Sequence, residues 1–292
     1  MFKGSLVALV TPFRDGKVDE KAFQDFVAWQ IAEGTHGLVP CGTTGESPTL
    51  SHDEHDRVIE LCIEVAKGSK VPVIAGTGSN STEEAIRLTK HARKAGADAA
   101  LVVTPYYNRP TQEGLYLHFK AIHDAVDLPI VIYNIPPRSA VNMTVDTMAR
   151  LAKLPNVVGV KCATNDLQRP MLERIAIGDD WIQLSGEDGT ALPYLASGGQ
   201  GCISVSANLA PRLLSEMHTS WQKGDVAAAM KINKRLMPLH EALFVETSPG
   251  PVKFGASLLG KCLADCRLPL APTMEPTRAK VRAAMTSAGL LN

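Results

Sequence analysis

Eight short apolar runs recur along the chain, and each is followed by a longer stretch with helical spacing. The runs are "SLVALV" (5–10), "HGLVPC" (36–41), "VPVIAG" (71–76), "AALVVT" (99–104), "PIVIYN" (129–134), "NVVGVK" (156–161), "WIQLSG" (181–186) and "GCISVS" (201–206). They return at intervals of roughly 25–35 residues, room for one strand and one returning helix. After the first run, Phe23, Phe26, Val27 and Ile31 stand three and four positions apart, with Gln30 as one polar intruder. Helix boundaries carry their own signals. Ser51-His52-Asp53-Glu54 and Ser81-Thr82-Glu83-Glu84 fit capping boxes, and Gly34, Gly68 and Gly96 sit where helices should stop.

Eight strand–helix units in about 220 residues predict a closed parallel barrel, the (β/α)8 or TIM architecture. An open doubly wound sheet is the rival. Its dinucleotide fingerprint is missing: "GTG" at 76–78 lacks the third glycine, and "GTTGES" at 42–47 lacks the P-loop lysine. The barrel is expected over residues 1–224. Residues 225–292 contain no strand pattern and are expected to add a three-helix appendage, read from "DVAAAMKINKRLMPLHEALF", "PVKFGASLLGKCL" and "EPTRAKVRAAMTSAGLL".

Basic and acidic side chains balance at 30 each among 292 residues, which argues against a nucleic-acid coat or a binder of anionic membranes. No apolar run reaches membrane-spanning length. "MFKGSLVALVTPF" reads as a first strand rather than a signal peptide, so the chain is expected in the cytoplasm. The six cysteines form no CxxC pair, and reduced thiols are the default in that compartment. Cys262 and Cys266 stand four apart in an expected helix, where a disulfide stays open. His52 and His55 in "HDEH" do not make the HExxH zinc pattern; a solvated helix face, a small-ligand site and a metal site rank in that order. No GxSxG elbow is present.

In such a barrel the chemistry gathers at the C-terminal ends of the strands. Those ends run into Gly42-Thr43-Thr44-Gly45-Glu46, Thr104-Pro105-Tyr106-Tyr107-Asn108, Tyr133-Asn134 with Arg138 beyond, Lys161, Gly186-Glu187-Asp188 and Ser204. Lys161 has two readings. It snorkels from a strand end to solvent, or it lies desolvated, where the neutral amine is favoured and attacks a ketone to form a Schiff base. Tyr133 ends the preceding strand and is either a core tyrosine or a proton relay beside that amine. Thr43 and Thr44 make a plain turn or present N–H groups and hydroxyls to a small carboxylate. Arg138, after two prolines, is a surface arginine or a bidentate clamp for a second carboxylate.

Two long motifs add to these readings. "GLVPCGTTGESPTLSHDE" and "YNIPPRSAVNMT…NVVGVKCAT" resemble, in order, the two signatures of the dihydrodipicolinate synthase family of pyruvate-dependent aldolases and lyases. "VTPYYNRPTQEGLYLHFKAI" and "RLMPLHEALFVETSPGPVK" extend the resemblance over the whole chain. The resemblance implies condensation of pyruvate with L-aspartate-4-semialdehyde to 4-hydroxy-tetrahydrodipicolinate, on the route to diaminopimelate and lysine. Lys161 would carry the Schiff base. Tyr133, Thr43 and Tyr107 would relay protons, with Tyr107 lent by an adjacent subunit. Thr44 would hold the pyruvate carboxylate, Arg138 that of the semialdehyde, and Gly186 and Ile203 would border the substrate. A homotetramer of two tight dimers is implied, with no cofactor and no catalytic metal. Ser47, His52, His55, Asn80, Glu84 and Tyr106 resemble the family's site for L-lysine as feedback inhibitor. Cys162 stands where glutamate is usual, either facing away from the site or bringing a thiol to it. Pro48 replaces a small residue in the inhibitor stretch.

Three other functions compete with this reading. One is an aldolase for N-acetylneuraminate or a 2-keto-3-deoxy sugar acid, which would want hydroxyl-binding groups where Arg138 stands. Another is a non-catalytic sensor of pyruvate or an amino acid, which has no use for a proton relay. The third, a metal-dependent barrel hydrolase, lacks a ligand cluster.

Overall fold

The computed structural model describes residues 2–292. All eight expected strands form, seven of them shorter than the apolar runs and β6 of equal length: β1 (Gly4–Ala8), β2 (Gly37–Val39), β3 (Ile74–Gly76), β4 (Ala99–Val103), β5 (Ile130–Asn134), β6 (Val157–Cys162), β7 (Ile182–Ser185) and β8 (Gly201–Ser204). Between and after them come α1 (Glu20–Ala32), α2 (His52–Ala66), α3 (Thr82–Ala95), α4 (Gln112–Ala125), α5 (Val145–Leu151), α6 (Arg169–Ile177), α7 (Ala191–Ala196) and α8 (Pro211–Gln222). The chain ends with α9 (Val226–Ala242), α10 (Gly250–Leu258) and α11 (Glu275–Ser287). The chain divides into two compact units, one of residues 2–3 and 73–203, the other of residues 4–72 and 204–292.

In the unit of residues 73–203, β3 to β8 lie side by side in sequence order, every pair parallel. Runs such as Ile130-Val131-Ile132-Tyr133 are buried at every residue, as strands covered on both faces must be. One register shift interrupts the ladder. Ile130 pairs with Val157, but Val131 pairs with Gly159, so Val158 is an extra residue in β6. Beyond it Ile132 meets Val160 and Tyr133 meets Lys161. The "GTG" run also finds its explanation here. A Cβ on Gly78 would fall 2.3 Å from the Val103 backbone nitrogen, so the glycine permits a close approach of two chain segments.

In the unit of residues 4–72 and 204–292, β1 and β2 are parallel, with Val7 opposite Leu38. A small hairpin absent from the expectations, Phe13–Arg14 against Lys17–Val18, follows β1. Helix α1 packs on α2 and α8 on β1. The three C-terminal helices form as expected, α9 against α8 and α11, and α10 against α11. Helix α10 stops at Leu258, so Cys262 and Cys266 lie in coil rather than in the expected helix, and both thiols are free.

The helix signals mostly hold. Ser51 and Glu54 complete a reciprocal capping box, each side chain bonded to the other's backbone N–H. At Ser81 the hydroxyl accepts from Glu84 N at 3.4 Å, whereas the Glu84 carboxylate accepts from the Ser79 hydroxyl. Gly34, Gly68 and Gly96 all have positive φ. No helix among the described residues is long and apolar enough to cross a membrane.

Candidate active site

Lys161 is held by its strand rather than by a loop. It ends the inner run of β6, is only 6% exposed, and lies opposite Tyr133 on β5. Its Nζ stands 4.1 Å from the centroid of the Tyr133 ring, so the amine meets the face of the ring. The snorkelling alternative fails on burial. Gly186, just past β7, closes the other side. A Cβ there would sit 2.8 Å from Ala163 Cβ and 3.2 Å from Lys161 Cε, so a side chain would press on the lysine stem.

Beyond Gly186 the Glu187 carboxyl enters the same field. Burial raises its pKa and the neighbouring Asp188 raises it further, while the charges of Lys161 and Arg138 pull it down. Glu187 stands among the strand-end residues of the sequence, where no role is expected of it; its place one residue after a strand-end glycine is the available signal. Arg138 is exposed, on a single helical turn of residues 136–139 opened by two prolines. Ile203 is fully buried in β8. Tyr107 is 90% exposed, with φ of 71°, a left-handed backbone for a bulky residue.

Cys162 points the other way. Successive strand residues face opposite sides, and its thiol lies 3.2 Å from Thr164 Oγ1. Burial raises its pKa, and the ion pair of Arg169 and Glu173 lies nearby. This outward environment decides between the two expectations for that residue.

Thr43 and Thr44 belong to the second unit, in the turn after β2. Gly45 N donates to Gly42 O at 3.1 Å and Glu46 N to Thr43 O at 3.1 Å, which makes the turn tight. Thr44 is buried and Thr43 half-buried. Glu46 closes the turn in the left-handed region, φ 56°, and its carboxylate accepts from Lys253 Nζ at 2.7 Å. Both charges are buried. Neither was among the expected site residues. The signal for Lys253 was a lone lysine between Val252 and Phe254 in an apolar helix.

No group of histidine, cysteine or carboxylate side chains among the described residues is arranged to hold a metal ion. Residues 1–288 match the profile of the Dihydrodipicolinate synthetase family.

The chain belongs to that family.

Curated relatives agree. The 4-hydroxy-tetrahydrodipicolinate synthase of Rhodospirillum centenum is 70% identical over the full length of both chains, and that of Bradyrhizobium diazoefficiens 64% over 100% of this chain and 98% of the other. Among solved structures, the chloride-inhibited dihydrodipicolinate synthase of Acinetobacter baumannii in complex with pyruvate superposes with a TM-score of 0.96, at 46% identity and full coverage of both chains. The lysine-bound enzyme of Cyanidioschyzon merolae does so with 0.96, at 40% identity and 99% coverage of each chain. The fold is therefore the (β/α)8 barrel, eight parallel strands alternating with helices, and not the doubly wound sheet.

The residues that resemble the family's inhibitor site fall in two groups. Asn80, Glu84 and Tyr106 lie in the unit of residues 73–203. Burial raises the Tyr106 pKa, the Glu84 charge raises it further, and a backbone hydrogen bond with Asn80 opposes both. The Asn80 carbonyl also accepts from Asn108 Nδ2 at 2.9 Å. In the other unit, Ser47 opens a short 3-10 turn and His52 opens α2, exposed. His55 is buried, with its carbonyl accepting from the Cys41 thiol, which corrects the expectation of a solvated "HDEH" face.

Proposed function

We propose that the chain is a 4-hydroxy-tetrahydrodipicolinate synthase, a lyase acting by Schiff-base chemistry. The Lys161 amine adds to the keto carbon of pyruvate and water leaves. The iminium draws electrons from the methyl carbon, which loses a proton and becomes an enamine. That carbon attacks the aldehyde of L-aspartate-4-semialdehyde. The amino group of the adduct then displaces Lys161 from the iminium carbon and closes the ring. Tyr133, Thr43 and a Tyr107 from an adjacent subunit move the protons. Thr44 and its turn hold the pyruvate carboxylate, Arg138 holds that of the semialdehyde, and Gly186 and Ile203 border the substrate. The assembly in this proposal is a homotetramer built from two tight dimers.

The observation that carries the reading is the buried Lys161 in register with Tyr133, with Gly186 leaving room for its stem. A strand-held lysine beside an aromatic face and a strand-end glycine is placed as a nucleophile for a small keto acid. Family membership and the pyruvate-bound relative support the first substrate.

Borohydride reduction in the presence of pyruvate tests the class. The expected result is irreversible inactivation with the reduced pyruvyl group mapped to Lys161; an unmodified, active protein would remove the Schiff base. Assay with the semialdehyde against N-acetylneuraminate and 2-keto-3-deoxy sugar acids tests the branch. Turnover confined to the sugar acids would replace this proposal with that aldolase, and binding of pyruvate without turnover of any acceptor would make the chain a sensor.

Feedback inhibition by L-lysine is proposed on a separate observation, the Glu84 carboxylate close to Tyr106. It suits the lysine side-chain ammonium, while Tyr106 and Asn80 suit the α-carboxylate. Tyr106 adjoins Tyr107, a short route from inhibitor to relay. The lysine-bound relative supports the reading.

A further inference from the structure

The Thr43–Glu46 turn is pinned from two sides by groups remote in sequence. Thr11 Oγ1 donates to Gly45 O at 2.7 Å. One Glu46 carboxylate oxygen accepts from Lys253 Nζ at 2.7 Å, the other from Arg267 N at 2.9 Å. Lys253 donates a second hydrogen bond to Thr11 O at 2.9 Å, and its ammonium lies 4.1 Å from the centre of the Phe13 ring. The contacts close a ring: Thr11 holds Gly45 and Lys253, Lys253 holds Glu46, and Glu46 N returns to Thr43 O.

Such an arrangement is a poor way to gain stability. A left-handed backbone costs a side-chain-bearing residue roughly 1–2 kcal/mol. Two charges taken out of water recover their desolvation cost only with good geometry, and apolar residues of similar volume are often as stable or more so. What the pair supplies is direction. It fixes where Glu46 lies, and through Gly45 and Thr44 it fixes which way the N–H groups and hydroxyls of the turn point.

We propose that Lys253 and Glu46 are positioning residues that hold the Thr43–Thr44 turn in its pyruvate-binding geometry, with Thr11 as the second pin. The proposal rests on the function given above and deepens it. Neither Lys253 nor Glu46 touches substrate. Both act through the orientation of Thr43 and Thr44.

The test uses the full-length protein with Glu46→Gln, Lys253→Met, the double variant and Thr11→Val. Steady-state constants for both substrates, the rate of borohydride trapping at subsaturating pyruvate, and thermal midpoints are measured together. Glu46→Gln and Lys253→Met are expected to raise KM for pyruvate about tenfold or more, since small misplacement of a binding group is costly. KM for the semialdehyde should stay within about twofold, because Arg138 is untouched. The double variant removes both charges, so its thermal midpoint should recover relative to the singles, while its pyruvate KM stays high. A structural role alone would restore both. Thr11→Val is isosteric and keeps the ion pair; it should raise pyruvate KM about threefold. It also decides the matter if Lys253→Met does not fold. Folded variants with lowered thermal midpoints but wild-type pyruvate KM and trapping rate would overturn the proposal. Failure of the wild-type protein to be trapped with pyruvate is a different result and strikes the functional reading itself.

Discussion

The nitrogen of Lys161 lies over the face of Tyr133, 4.1 Å from the ring centre. The two residues are partners across β5 and β6. The ring therefore forms one wall against the amine. In the proposed reaction its phenol would relay a proton to the carbinolamine formed on that amine.

The wall opposite the ring gives the first prediction. Gly186→Ala places a methyl 2.8 Å from Ala163 Cβ and 3.2 Å from Lys161 Cε. Overpacking of this kind costs about 1–3 kcal/mol of stability, and a displaced lysine should lower kcat by about ten- to a hundredfold. Denaturant unfolding and steady-state kinetics check the two parts. Unchanged kcat would show that the lysine stem has room to move.

Tyr107 is exposed at the centre of a three-residue turn, its backbone left-handed and Asn108 N donating to Tyr106 O at 2.9 Å. If an adjacent subunit receives its hydroxyl, Tyr107→Phe should lower kcat by about a hundredfold while sedimentation shows the same assembly as wild type. Turnover equal to wild type would remove the residue from the relay.

Glu84 carries the charge in the proposed inhibitor site. Glu84→Gln keeps the shape and removes the charge, so the concentration of L-lysine needed for half inhibition should rise about tenfold or more. Pyruvate KM should not change. Equal lysine inhibition in variant and wild type would place the inhibitor elsewhere.

His118 on α4 predicts a pH response of stability. Burial lowers its pKa to about 4, and its Nδ1 lies 2.9 Å from Thr82 Oγ1. In the unfolded chain the ring protonates as pH falls through about 6.5; in the folded chain it stays neutral until about 4. The unfolded state thus binds the proton first, and stability is lost as pH falls across that window, by up to about 3 kcal/mol. Urea unfolding at several pH values should show the loss, and His118→Gln should reduce its slope. A slope equal to wild type would assign the response to other groups.

The regular parts of the molecule were legible because they repeat. Parallel strands covered on both faces must be continuously apolar, so "PIVIYN" and "NVVGVK" announced themselves, and a cationic residue at the end of such a run had to be noticed. The hairpin at Phe13 and Lys17 escaped because strands of two residues have no period to detect. The Lys253–Glu46 pair escaped for another reason: its members are 207 positions apart, and only folding brings them together. At Cys262 and Cys266 the apolar spacing "SLLGKCL" suggested a longer helix, but α10 ends at Leu258 and positive φ at Gly260 follows. The burial of His55 is not legible because its neighbours His52 and Asp53 are polar and exposed, and a charged tetrapeptide does not reveal which of its members turns inward.

The extra residue in β6 has a consequence for inheritance. Upstream of it the ladder matches Ile130 with Val157, and downstream it matches Tyr133 with Lys161. Without Val158 the same residues would pair one to one, Val131 with Gly159 and Tyr133 with Lys161. Loss of that single codon would leave the amine with its partner and remove only the local bend and added twist that an extra residue gives a strand. What a lineage could lose at that position is the shape of the strand and not the pairing that carries the amine.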